Sequence, residues 1–232
     1  MVQLNLALRE INCKVVYFGC GLGGKTTNLE KIHEQAEPES RGELTSIATE
    51  SDRTLFFDLL PLRLETKGGL SIKVKLFTVP GQVIHNTTRK IVLQGADGVT
   101  FVADSRVSET RANNESFANL RANLKDNGIA WGDVAVVIQF NKRDLPGIRS
   151  DADVDKIAAK GSEPVFKAIA IEGVGVAETF LGLADVTWAK LSERYDLQEK
   201  FKVGPDELVD QIREILCASG RELDPSMQAG GG

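Results

Sequence analysis

Short apolar runs alternate with longer stretches in which apolar residues recur every three or four positions, and this alternation sets the expected elements. Cys13–Phe18 is β-branched and aromatic and reads as a buried strand. A helix follows to about Gln35, with Leu29 and Ile32 on one face. Ala36–Arg53 is polar and holds Pro38 and Gly42, so it reads as a loop with room for one short strand. Leu55–Leu60 is strand-like and is expected to stop at Pro61. After a turn at Lys67-Gly68-Gly69, residues Ser71–Thr78 set Ile72, Val74 and Leu76 against Lys73 and Lys75, a half-buried strand. Strands joined so tightly are antiparallel, which makes the sheet mixed.

The remaining pattern is regular. Thr87–Leu93 reads as a short helix, Gly98–Asp104 as a buried strand, and Glu109–Asn127 as a long helix striped by Phe117, Leu120 and Leu124. Val134–Phe140 and Val165–Ile171 are expected strands, Ser150–Ala159 and Gly175–Tyr195 expected helices. Such alternation predicts an α/β fold, a mostly parallel sheet with helices on both faces and ligand sites at the strands' carboxyl ends. Residues 1–195 are therefore expected to form one domain. A linker and amphipathic helix follow over 196–220, carrying Leu208, Val209, Ile212, Ile215 and Leu216, and 221–232 reads as a disordered tail.

Composition narrows the class. A net charge of −5 without a segregated basic stripe argues against nucleic-acid binding. Three scattered cysteines, Cys13, Cys20 and Cys217, suit reduced thiols in a cytoplasmic compartment and no metal knuckle. No apolar run reaches membrane-spanning length, and neither Val2 nor the terminal glycines offer a lipidation signal, so no direct membrane anchor is expected.

Chemistry concentrates at Gly19-Cys20-Gly21-Leu22-Gly23-Gly24-Lys25-Thr26, which fits G-x-x-x-x-G-K-[ST] between a strand and a helix. Gly19, Gly21, Leu22, Gly23 and Gly24 would turn main-chain N–H groups toward phosphates, and the helix opening at Thr26-Thr27 adds its positive end. Lys25 supplies a charge for the β and γ phosphates, and the Thr26 hydroxyl is placed to ligate Mg²⁺. Cys20, near a helix start, is a site where a thiol pKa can fall, although a small loop-filling role is the plainer reading.

Base choice is read at Asn141-Lys142-Arg143-Asp144, at the carboxyl end of a buried strand. The Asp144 carboxylate can accept two hydrogen bonds from the N1–H and N2–H₂ edge of guanine, a pairing adenine cannot offer. Lys142 would cover the ring face, Asn141 would tie this loop to the phosphate loop, and Ala170 would offer a backbone N–H to the guanine O6.

Together with Thr49–Asp58 and Thr78-Val79-Pro80-Gly81-Gln82, these motifs resemble the Ras-like small GTPases and, within them, the MglA family of bacterial mutual gliding-motility GTPases. The resemblance spans about Arg9 to Arg194 and implies a Ras-like G domain, a three-layer phosphate-loop fold. It implies GTP/GDP and Mg²⁺ as ligands, with Thr26 and the Thr54 hydroxyl on the metal. Gly81 would donate to the γ-phosphate, Gln82 would orient the attacking water, and Arg53 would act as an arginine finger supplied from the same chain. Thr78 stands where most such proteins carry an Asp that positions Mg²⁺ through water, so the metal leans on Thr26, Thr54 and the phosphates, with Asp58 or Asp52 as possible compensation. The family further implies a roadblock-domain (MglB-like) activator, unidentified exchange factor and effectors, a role in cell polarity or surface motility, polar placement through a partner, and a shift of strand Leu55–Leu60 between states. The segment after Tyr195 departs from the family pattern. A GTP-binding scaffold without turnover, and a phosphate-loop kinase, are the alternative readings.

Overall fold

The structure, a computed structural model, describes residues 2–47, 57–66, 68–82, 85–204, 206–217 and 222–229. Near the start of the chain, residues 3–12 form a hairpin. Strand β1 (Gln3–Asn5) pairs antiparallel with the start of β2 (Glu10–Gly19), through a turn in which Arg9 takes φ 48°. The Arg9 guanidinium donates to the carbonyls of Gly68 (3.1 Å) and Phe201 (2.7 Å), fastening the hairpin to the far end of the chain.

Alternate residues of β2 point to opposite faces, and from Val15 onward both faces are dry. Ile11, Cys13, Val15 and Tyr17 join one apolar cluster, Val16 and Phe18 the other. The strand ends in the phosphate loop, from which α1 (Lys25–Gln35) departs. Beyond it, β3 (Thr45–Ile47) and β4 (Phe57–Glu65) pair antiparallel. β4 in turn pairs antiparallel with β5 (Ser71–Thr78), as the tight connection requires. Pro61 does not end β4. It lies opposite Lys75, and its carbonyl, on the side of the strand where its missing N–H would point, accepts from Gly42 N at 2.8 Å. No ladder donor is needed on that side, so proline is tolerated.

The second half winds as expected through α2 (Asn86–Leu93), β6 (Gly98–Asp104), α3 (Thr110–Asp126), β7 (Ala135–Asn141), α4 (Asp151–Ala158), β8 (Val165–Lys167) and α5 (Val176–Tyr195). Strand β2 is parallel to both β5 and β6, and β6, β7 and β8 continue in parallel. Strand β8 is shorter than its apolar run suggests. After Lys167 the chain bends inward: Ala168 N donates to Phe140 O, Arg143 N donates to Ala168 O, and residues 170–172 form a tight turn. The ends of β2, β5, β6 and β7 thus converge on one edge.

Past Tyr195, α6 (Leu197–Phe201) and α7 (Glu207–Cys217) pack back on the domain. Leu208, Ile212, Ile215 and Leu216 are buried in the cluster that holds α1, α5 and the inner face of β4. Each such side chain contributes roughly 2 kcal/mol through burial. The residues read as a free tail are not free over their described part. Asp224 caps a turn at Pro225–Met227, its N–H donates to Glu178 at 2.9 Å, and β9 (Gln228–Ala229) pairs antiparallel with β8. Among the described residues the sheet runs β3-β4-β5-β2-β6-β7-β8-β9, with β1 on β2.

Candidate functional site

A cleft of about 370 Å³ opens at the carboxyl edge of the sheet, lined by Leu22 to Thr27, Asp58 and Thr78 to Gly81. A larger hollow, about 600 Å³, lies between α5 and the C-terminal segment, away from the phosphate loop. The smaller cleft holds the phosphate-loop residues singled out in the sequence.

The loop gets its shape from backbone conformations that few residues allow. Gly24 takes φ 98°, and a Cβ there would run into the Asn141 amide; Gly19 lies against the Val102 carbonyl with no room for a side chain. Leu22 adopts φ 58° and is 92% exposed, so its side chain stands out from the loop. Lys25, only 7% exposed, donates to the carbonyl of Cys20 (2.7 Å) and, at 3.5 Å, to that of Gly19. Burial pulls its ammonium down to about 8, because no carboxylate hydrogen-bonds to it. An anion in the cleft would supply the missing partner. Cys20 does not follow the lowered-thiol possibility: burial pushes its pKa up.

Four hydroxyl and carboxylate groups meet beside Lys25. Asp58 Oδ2 accepts from Thr26 Oγ1 (2.7 Å) and from Thr78 Oγ1 (2.8 Å), and Asp58 Oδ1 accepts from Ser46 Oγ (2.7 Å). Thr78 Oγ1 also accepts from Asp58 N at 2.9 Å. The carboxylate that the sequence lacks at position 78 is therefore present on the neighbouring strand, carried there by the β4–β5 pairing. Sequence alone left Asp58 and Asp52 as equals, because strand register is not visible in it. Gly81 packs so tightly on the Gly21 backbone and the Cys20 carbonyl that a Cβ would not fit. Gln82 is exposed and follows Gly81 in the chain, while the cleft lining itself ends at Gly81. Arg53 and Thr54, with Asp52, lie outside the described residues.

Asn141 joins the two loops. At 2% exposure, its Nδ2 donates to Gly23 O and its Oδ1 accepts from Ala170 N, both at 2.9 Å. The Ala170 N–H, expected to face a base, is thus occupied by Asn141. Lys142, at φ 65°, swings its ammonium onto Asp104 Oδ2 (2.8 Å), which also receives Arg106 (2.7 Å). Burial by itself would raise the Asp104 carboxyl, but the hydrogen bonds and charges of Arg106 and Lys142 hold it at about 2. Asp144 is exposed and accepts no hydrogen bond from the described residues, which leaves both carboxylate oxygens free. Sequence reading missed Asp104 as the anchor of Lys142. It also missed the buried Asn28–Gln139–Thr179 network beneath α1, whose members read simply as polar residues in apolar runs.

A phosphate loop after β2, a base-side loop after β7 and an asparagine bridging them on this mixed sheet define a Ras-like G domain of the small-GTPase class. No protein-family model matches the chain. It is 45% identical over 193 residues to the mutual gliding-motility protein MglA of Myxococcus xanthus (strain DK1622), a match covering 83% of this chain and 99% of that relative. The chain belongs to the MglA family of small GTPases. The remainder of this chain has no counterpart in that relative.

Among the described residues there is no group of three His, Cys, Asp or Glu side chains able to hold a metal, and no helix is long and apolar enough to cross a membrane.

Proposed function

We propose that this protein is a GTP/GDP switch that hydrolyses GTP slowly and controls cell polarity or surface motility with a roadblock-domain activator. The Asn141 bridge carries this reading. One side chain fixes the distance between the phosphate loop and the loop that ends in the free Asp144 carboxylate. A nucleotide held at both ends is selected for guanine by Asp144, while Lys25 exchanges the Cys20 carbonyl for its phosphates. Lys142, anchored on Asp104, lays its stem along the base. For the base to reach the Ala170 N–H, Asn141 would have to release it.

The oxygen-only set of Thr26, Thr78 and Asp58 fits Mg²⁺, a hard cation that prefers hydroxyl, carboxylate and phosphate donors. Thr26 and Thr54 would ligate it and Asp58 would orient its water. When bound, the ion supplies charge neutralisation at the phosphates. Gly81 senses the γ-phosphate through its N–H, Gln82 orients the attacking water and Arg53 stabilises the charge that develops. Similarity to a protein named for gliding motility supports the cellular role.

Two measurements test the proposal. Titration with GTP and ATP should show a strong preference for GTP; equal affinity removes Asp144 from its role. Phosphate release should be slow alone and faster with a roadblock-domain partner, and Gln82→Ala should trap the GTP state. Undetectable turnover in both conditions would leave a GTP-binding scaffold instead.

A further inference from the structure

Beneath the phosphate loop lies a second buried cation that none of the expected roles uses. Arg89, on α2, is 0% exposed. Its guanidinium stacks on the Phe18 ring at 4.1 Å from the centroid. One nitrogen, Nη2, donates to Ser116 Oγ (2.7 Å) and reaches the Gly19 carbonyl (3.4 Å). Nε and Nη1 are buried with no hydrogen-bond partner, and among the described residues no carboxylate pairs with the group. A guanidinium cannot discard its proton as a buried lysine can, so the charge persists at neutral pH. An uncompensated buried charge is costly and is seldom kept without an anion to answer it.

Among the described residues, the anion site that Arg89 reaches is the phosphate loop. Arg89 and Lys25 converge on one acceptor, the Gly19 carbonyl that opens the loop. When Lys25 turns to a phosphate it gives up that carbonyl, and Arg89 remains to hold it inward, keeping the loop's N–H groups facing the cleft. Arg89 also sits on the helix that follows Gly81 and Gln82, and Ser116 ties it to α3. We infer that Arg89 is a positioning residue of the phosphate site, a fixed cation under the loop that holds the Gly19 carbonyl and favours a pyrophosphate group above it. This deepens the nucleotide-switch reading and rests on it only for the identity of the base.

The test uses the full-length protein and Arg89→Lys, Arg89→Met and Arg89→Gln, with inorganic pyrophosphate and GDP as probes. Met and Gln should weaken both ligands by roughly 10- to 100-fold, as expected for loss of one charge in a partly dry site, and Lys should recover only part of the loss, because a buried ammonium can shed its proton and lacks the guanidinium's fork. The ligand-free Met variant should melt no lower than the parent, because a buried cation without a counter-ion has been exchanged for an apolar chain of similar length. A purely structural arginine would lower the ligand-free melting temperature in every variant and leave affinity in the folded fraction unchanged. Parent-like pyrophosphate affinity in the Met and Gln variants overturns the inference; should Met fail to fold, Gln decides. If the parent binds pyrophosphate but shows no preference for GDP over ADP, the guanine reading falls while the role of Arg89 stands.

Discussion

Replacing Thr78 by Asp restores the residue most small GTPases carry, and here it should harm the protein. Asp58 Oδ2 already lies 2.8 Å from the Thr78 hydroxyl, so a carboxylate at 78 would face another across the β4–β5 ladder. At ~4 Å and an effective dielectric of 20, two like charges repel by about 4 kcal/mol. Relaxation and partial exposure of Asp58 reduce this, and a net loss of roughly 2–4 kcal/mol remains. For a chain of this size that corresponds to a fall of roughly 4–16 °C in melting temperature. The loss should be confined to the metal-free state at neutral pH. Mg²⁺ with GDP should restore much of it, as should acidification that protonates one carboxylate, and Asp58→Asn should rescue Thr78→Asp in the double variant. Thermal melts of the parent, both single variants and the double variant, with and without chelator, read every arm. If Thr78→Asp melts with the parent in chelator, the two positions do not share one site and the case for Asp58 at the metal is lost.

Other consequences are simpler. Asn141→Ala removes the two 2.9 Å bonds of a buried amide and strands Gly23 O and Ala170 N, so stability should fall by about 2–4 kcal/mol, with GDP affinity falling more than ~10-fold; calorimetry and titration check this. Asp104 has a folded pKa of about 2, below its ordinary 3.8, so the stability it adds is present above pH 4 and lost as pH falls toward 2. The loss should be about 2 kcal/mol in acid titration of the unfolding free energy, and Asp104→Asn should flatten that slope. Leu216→Ala, at 0% exposure in the α7 seam, should cost about 2–5 kcal/mol in denaturant unfolding, whereas a loosely docked extension would give almost no change.

Much of this was legible because it rests on local rules. Glycines at fixed offsets before Lys25-Thr26, alternation along Ser71–Thr78 and the stripe Leu120–Leu124 each state their own conformation. Asn141 could be placed because a motif gives its partner loop. What stayed hidden depends on contacts between distant elements. Asp58 reaches Thr78 only through strand register, Asp104 captures Lys142 only once β6 and β7 are side by side, and Pro61 sits in a strand because of what lies on its other edge. The pairing of Gln228–Ala229 was invisible for the same reason: two residues carry no period.

That last pairing has a practical outcome. Strand β8 would otherwise leave a row of amide and carbonyl groups open to any extended peptide, the usual route by which sheets of separate molecules join. With Ala229 laid against Val165 and Gln228 against Phe166, the molecule supplies its own blocking peptide from within the same chain. Loss of Gln228 and Ala229 would bare that margin and leave the molecule prone to self-association.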